Sequence, residues 1–399
     1  MKAPPRAPNR TANDDRSRAS TRRPQAAHGP TAAQANPDLG KALLAWYARE
    51  KRDLPWRRQR DPYAIWLSEV MLQQTRVDTV IPYYARFLEL FPSVRALAEA
   101  EEPQVLAAWS GLGYYRRARM LHAGAKEIAR RGSFPGTREA LLTVPGIGPY
   151  TASAVASIAH GEPVELVDGN VARVLARLFA LECDIKSPRG IAELWAVARR
   201  ELRREDPGSW NQALMELGAT VCTPKKPSCE ACPLVGACQS YADGRVTELP
   251  VATAKKKPLA ESKTSLVLVD GEEIWLGERS SHLRFGGMWE PPMLDGELSA
   301  VDMSGGFAEL LGGDPEELRA TDCGIVVHLL SHRRMTIRVY FAHASPTFRR
   351  SLARVRARGD YARFSKMQAT EAKGARGMST LARNCLLYTS PSPRDRTRS

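Results

Sequence analysis

No run of 18 consecutive apolar residues occurs anywhere in the 399-residue chain, which excludes an ordinary membrane-spanning helix. The first forty residues also lack the apolar core of a secretory signal, carrying scattered Arg and Pro instead. Acidic residues are in deficit, 44 against 58 Lys and Arg, for a formal net charge of +14. Residues 1–38 contribute +4 of this and residues 385–399 contribute +2, leaving +8 for the body of the chain. A surplus of that size suits a polyanion such as nucleic acid, although it also serves solubility. Cysteine is sparse, with seven in the chain, four of them crowded into residues 222–238. A disulfide framework would be spread along a small secreted domain, so a reducing compartment and a metal site are expected. A cytoplasmic location, bacterial and close to the nucleoid, is expected. A nucleus or organelle stays open, because the Arg- and Ser-bearing start loosely imitates a transit peptide despite Asp14 and Asp15.

The chain divides by composition. Residues 1–38 are rich in Pro, Ala and Arg without periodicity and are expected to be disordered. Residues 39–245 carry amphipathic helical patterns punctuated by Pro and Gly, as at Pro62 and Pro103. Residues 246–263, with Pro250, Lys255, Lys256, Lys257 and Pro258, mark a linker. Residues 264–384 bring strand-like segments near 265–269, 274–276, 324–327 and 335–341, so a second domain mixing helix and sheet is expected. Residues 385–399 resemble the conceptual translation of a sequencing adapter and are expected to lie outside the fold.

Cys222, Cys229, Cys232 and Cys238 have the spacing C-x6-C-x2-C-x5-C. Four thiolates this close can wrap one centre, either zinc or a cubane iron–sulfur cluster. A single short C-x2-C knuckle tilts the reading toward iron. Lys225 and Lys226 lie in the first gap, where a loop pinned at both ends would hold them against a phosphate.

Two further stretches suggest chemistry. Leu142-Thr-Val-Pro-Gly-Ile-Gly-Pro-Tyr-Thr-Ala152 reads as a helix–turn–helix with Gly146 and Gly148 in the turn. Such a turn lets backbone approach a phosphate at a helix start, although a plain interhelical turn would look the same. Asp168, beside Gly169 and ahead of a new helix, is an N-cap candidate, and Glu69 lies in an otherwise apolar helical stretch. A solvated helix face would also explain Glu69.

Asp53-Leu-Pro-Trp-Arg57, Asp61-Pro-Tyr-Ala-Ile-Trp66, Ser68-Glu-Val-Met-Leu-Gln-Gln-Thr75 and Gly111-Leu-Gly-Tyr-Tyr115 closely resemble the MutY family of helix-hairpin-helix DNA glycosylases. The resemblance covers residues 39–384 and extends to the cysteine spacing. It implies an all-α helix-hairpin-helix domain with a [4Fe–4S] loop and a six-helix module at about 64–168, followed by an α+β Nudix-like domain. The implied reaction is hydrolytic removal of adenine mispaired with 8-oxoguanine or guanine in duplex DNA, by a monomer that needs no soluble cofactor. Glu69 is then expected to have a raised pKa and to protonate the base, while Asp168 stays ionised opposite a cationic sugar. By the same resemblance Arg52, Trp56, Arg57 and Tyr150 wall the adenine pocket. Gln74 and Tyr114, with Leu112 beside them, enter the duplex. Endonuclease III shares much of this pattern but needs a Schiff-base lysine two residues after the second turn glycine. Here that residue is Tyr150, and no lysine occurs from Thr151 to His160. A non-catalytic iron–sulfur DNA-binding protein is the third reading, and Glu69 with Asp168 argue against it.

In the second domain, Ile274-Trp-Leu-Gly-Glu-Arg279 and Gly286-Gly-Met-Trp-Glu-Pro291 carry the Nudix-like resemblance, yet residues 297–311 lack the acidic R-E-x-x-E-E box of a working hydrolase. A binding role is expected instead. Leu330-Ser-His332 stands at the family's Phe-Ser-His loop, which makes Ser331 and His332 the expected lesion readers, with Leu330 departing from the pattern.

Overall fold

The computed structural model describes residues 37–251, 253, 257–330, 332–352, 354–355, 357–368 and 377–388. Of the expected N-terminal extension, residues 1–36 lie outside this set, and residues 37 and 38 already open the first helix.

The helical half runs α1 (Pro37–Glu50), α2 (Pro62–Leu72), α3 (Val77–Leu90), α4 (Val94–Glu99), α5 (Glu102–Trp109), α6 (Arg116–Arg131), α7 (Arg138–Leu142), α8 (Pro149–His160), α9 (Gly169–Leu178), α10 (Pro188–Glu201), α11 (Pro207–Thr220) and α12 (Gln239–Ala242), with a short 3₁₀ turn at Pro55–Arg57. A recurrent local signal sets the helix starts: a capping side chain followed by proline at the first helical position. Asp61, Ser187 and Asp206 each accept a backbone N–H, ahead of Pro62, Pro188 and Pro207.

Two hydrophobic cores organise these helices. One gathers α2 to α8 around Trp66, Phe87 and Trp109; the other packs α1 against α8, α9, α10 and α11 around Leu43, Val171 and Trp210. Seven helices therefore share the module expected to hold six. Leu54, Trp56 and Tyr63 join the first core, so it reaches back before residue 64, where the six-helix module is expected to begin.

The second domain is a seven-stranded mixed sheet of β1 (Leu259–Asp270), β2 (Glu273–Arg279), β3 (Trp289–Glu290), β4 (Met293–Asp295), β5 (Ala320–Leu330), β6 (Arg333–His343) and β7 (Tyr361–Gln368). Its main path is β3-β2-β1-β6-β5, with β4 on β1 and β7 on β2. The β1–β6 pair is parallel and the other pairs are antiparallel. Helices α13 (Ala300–Leu311) and α14 (Pro346–Leu352) cover one face, and α15 (Thr380–Tyr388) covers the other.

Two expected boundaries shift. Strand β1 starts at Leu259, inside the expected linker, because its pairing with β6 begins there. Cys385 and Leu386 are buried against Met378 and Leu381 on α15, so the fold continues past the expected boundary at 384; residues 389–399 lie outside the described set. The halves dock directly. Met288 joins the core of the helical half, and the Met378 carbonyl accepts Ser110 Oγ at 2.9 Å and the Tyr115 hydroxyl at 3.2 Å.

Candidate active site

Every residue from Tyr63 to Met71 on α2 is buried, so this helix has no solvated face for Glu69 to occupy. Burial raises the Glu69 carboxyl to about 7. A hydrogen bond from Tyr150 and the charge of Arg57 act the other way, while the charge of Asp168 adds to the rise. The Tyr150 hydroxyl, in the first turn of α8, donates to Glu69 Oε2 and lies 3.4 Å from Met215 Sδ. Burial followed by the charges of Glu69 and Asp168 lifts the Tyr150 phenol well above its usual range, so it stays a donor. Glu69, Tyr150 and Asp168, from three different elements, thus share one electrostatic neighbourhood.

Asp168 is the N-cap of α9. Its Oδ1 accepts Asn170 N at 2.9 Å and Val171 N at 2.7 Å, and its Oδ2 accepts Asn170 Nδ2 at 2.9 Å. Capping and placement beside Glu69 hold together here. Burial lifts this carboxyl above its ordinary value, with the three hydrogen bonds pulling it back down. All three bonds use its oxygens as acceptors, which the charged form satisfies. Asn170 Oδ1 in turn accepts Arg173 Nη2 at 2.9 Å, and Arg173 Nε reaches the Cys222 carbonyl at 2.8 Å, tying the aspartate to the cysteine loop.

The expected pocket wall is organised by a residue that the sequence reading missed. Glu216 on α11 is 1% exposed and accepts Arg52 Nε and Nη2, both at 2.8 Å, and Arg57 Nη2 at 2.8 Å. Burial pushes Glu216 up, but the two arginines outweigh it and hold the carboxyl at about 2. Arg52 and Arg57 are therefore fixed side chains, and Arg57 lies within electrostatic reach of Glu69. Trp56 is buried, packing edge-on against Tyr84 with ring centres 5.4 Å apart, so core packing accounts for its ring.

A cleft of about 1190 Å³ opens between the two halves. It is lined by Gln74, Tyr114 and Gly146 from the helical half and by His328, Leu330 and His332 from the sheet. Glu69 and Asp168 do not line it, although Val70 does. The electrostatically coupled carboxyls of Glu69 and Asp168 therefore lie outside the lining of the wide cleft. Gln74 and Tyr114 are exposed. Leu112 is buried in the helical core, so its side chain supports this loop from below and does not project with the other two, a correction to expectation. In the hairpin, Gly146 has φ +82° and a Cβ there would stand 2.7 Å from Met120 Cβ, so glycine is required. Gly148 has extended φ and open space around it, so neither conformation nor close approach demands glycine there. Ser331 lies outside the described residues.

Cys222, Cys229, Cys232 and Cys238 line one small cavity of about 30 Å³ beside Arg177. The Arg177 guanidinium donates to Cys222 Sγ at 3.3 Å, a contact that suits a thiolate, and also holds the carbonyls of Thr223 and Pro224. Four soft donors around one void fit a thiolate-ligated centre. Among the described residues, no three side chains form a ready-made site for a single ion. Lys225 and Lys226 are exposed on the same loop.

Residues 67–198 match the HhH-GPD superfamily of base excision DNA repair proteins. Human adenine DNA glycosylase is 37% identical over 358 residues, a match covering 75% of this chain and 66% of the human protein. The adenine DNA glycosylase of Schizosaccharomyces pombe is 32% identical over 376 residues, covering 77% of this chain and 82% of the yeast protein. The chain belongs to the adenine DNA glycosylase family. As a member of that family it is a base excision repair enzyme acting on N-glycosyl bonds, with DNA as its partner. A thermostable thymine-DNA glycosylase of known structure is also similar, at 28% identity and a TM-score of 0.47 over 51% of this chain and 94% of that one.

In this adenine glycosylase family member, Glu216, Asn170, Arg173 and Arg117 escaped the sequence reading. Glu216 carries the one usable signal, since it sits among Leu214, Met215 and Leu217 much as Glu69 sits among apolar neighbours.

Proposed function

We propose that this glycosylase hydrolyses the bond between adenine and its deoxyribose where adenine faces 8-oxoguanine or guanine in duplex DNA. The observation that carries this reading is the buried, Tyr150-bonded Glu69, raised to about 7, in the electrostatic field of Asp168. The target nucleotide must leave the stack to reach these groups. Glu69 gives its proton to the base while the C1′–N9 bond breaks, the bonding pair leaving with adenine. Asp168, charged, stabilises the oxocarbenium-like sugar or bonds to it transiently. Water then adds hydroxide to C1′, and its proton restores Glu69. Arg52, Arg57 and Tyr150 form the wall of the adenine pocket, with Glu216 holding both arginines. The hairpin glycines, Lys225 and Lys226 take phosphates, and the enzyme works as a monomer.

With Tyr150 in the position a lyase needs for lysine, no amine is available to attack C1′ from that turn. Incubation with duplexes carrying adenine opposite 8-oxoguanine, adenine opposite guanine, or thymine glycol tests the assignment. Adenine loss with strand breakage only after alkali is expected. Breakage without alkali at the rate of base loss, or action on thymine glycol alone, would favour the endonuclease III reading. Ser331→Ala combined with His332→Ala is expected to erase the preference for 8-oxoguanine over guanine, because the imidazole borders the cleft. An unchanged preference removes these two residues from lesion reading.

Cys222, Cys229, Cys232 and Cys238 hold a [4Fe–4S] cluster in this proposal. When bound, the cluster supplies no proton or nucleophile to hydrolysis; it pins the Lys225–Lys226 loop and, through the Cys222 carbonyl, Arg173. Purified protein should show broad visible thiolate-to-iron absorbance that is lost in Cys232→Ser. A colourless protein with bound zinc would overturn the assignment.

A further inference from the structure

Three non-glycine residues on the cleft have left-handed backbone; Phe285 comes from the sheet domain, and the other two, Gln74 at φ +57° and Tyr114 at φ +50°, come from the helical half. Both face the same opening, one after α2 and the other ahead of α6. Side chains rarely hold that conformation unless the surroundings enforce it. Arg117, on the first turn of α6, reaches the segments that carry both residues. Its Nη1 donates to the carbonyls of Val70 at 2.8 Å, Met71 at 2.9 Å and Gln73. Its Nη2 donates to Thr75 Oγ1 at 3.1 Å and to the carbonyls of Leu112 and Gly113, both at 3.4 Å. The same guanidinium stacks on Trp109 at 5.5 Å and on Tyr114 at 5.3 Å. Gln74 is bracketed by two of these acceptors, Gln73 and Thr75, and Gly113 immediately precedes Tyr114. Among the described residues no carboxylate pairs with Arg117, so its two terminal nitrogens donate to backbone and hydroxyl oxygens of two separate segments, while Nε is buried without a partner.

We propose that Arg117 is a positioning residue that fastens Gln74 and Tyr114 into one rigid two-pronged wedge, whose role is to keep the duplex open while the target base is extruded. The inference rests on the function proposed above. A wedge on an unfastened turn would relax toward extended backbone and yield to restacking, whereas a planar fork holding both turns removes that freedom. Lysine keeps the charge but cannot hold both segments at once.

Arg117→Lys is the test variant, assayed by single-turnover adenine release on two substrates. In one, adenine pairs with 8-oxoguanine; in the other it faces an abasic gap and needs no unpairing. The expected result is a loss of about 100-fold on the paired substrate and a much smaller loss on the gapped one, with duplex affinity and melting temperature near wild type. Equal loss on both substrates would overturn the wedge role, as would no loss on either. Adding Arg117→Lys to the double variant Gln74→Ala with Tyr114→Gly should cost little further activity, since both prongs it fastens are gone; independent, multiplying losses would contradict the proposal. If the unaltered protein releases no adenine, the proposed function fails separately. The wedge is then judged by fluorescence of 2-aminopurine placed next to the target, where Arg117→Lys should abolish the rise on binding and an intact rise overturns it.

Discussion

Glu69→Gln abolishes adenine release while duplex binding survives. Glutamine has the same shape and can accept the Tyr150 hydroxyl, so the fold around α2 is kept. What it lacks is an acidic proton, and loss of a positioned general acid costs about 10³-fold, or ~4 kcal/mol of barrier. Stability supplies an internal control with a definite sign. The folded carboxyl, at about 7, sits above its ordinary 4.5, so its contribution to stability is complete below 4.5 and is lost as pH rises through about 7. The variant has no carboxyl to ionise and should melt no lower than wild type at pH 8. Single-turnover kinetics, a gel-shift titration and a melting curve check all three points. Near-normal turnover removes Glu69 from the chemistry.

Asp168→Asn carries the second large effect. Asparagine can still accept the N–H groups of Asn170 and Val171, so the α9 cap persists. Its new amide would face the Asn170 amide, however, donor against donor. Turning Asn170 to relieve this would break its bond from Arg173. The substitution therefore removes the negative charge opposite the developing cation and loosens the link to the cysteine loop. Loss of a preorganised charge partner costs about 10²–10³-fold in rate, with DNA affinity retained. Release at wild-type rate by a variant that binds DNA normally would exclude Asp168 from transition-state stabilisation.

Much of this site was legible because its signals are local. Asp61-Pro62 and Asp206-Pro207 announce helix starts through capping chemistry that needs no tertiary context. Glu69 stood out as the one charge in a buried stretch. Glu216 carried the same signal more faintly, and its meaning depends on Arg52 and Arg57 more than 150 residues away. Arg117 was invisible for a related reason: its partners are mostly backbone carbonyls, which every sequence possesses. Leu112 was placed beside Tyr114 by adjacency, yet a turn at Gly113 separates a buried side chain from an exposed one. The short strands β3 and β4 escaped because two or three residues cannot display a period. Strand β7, Tyr361–Gln368, hides its alternation among Arg, Ser and Lys on a largely exposed face.

The dependence of the single-turnover rate on pH, measured for the unaltered protein on adenine opposite 8-oxoguanine, bears most directly on the paired carboxylates. Base release should be fastest on the acid side of about 7 and fall roughly tenfold per unit above it, as Glu69 gives up its proton. It should fall again at lower pH, above the usual aspartate range, as Asp168 is neutralised. A rate that stays level or climbs between pH 7 and 9 would show that no protonated carboxyl drives the cleavage.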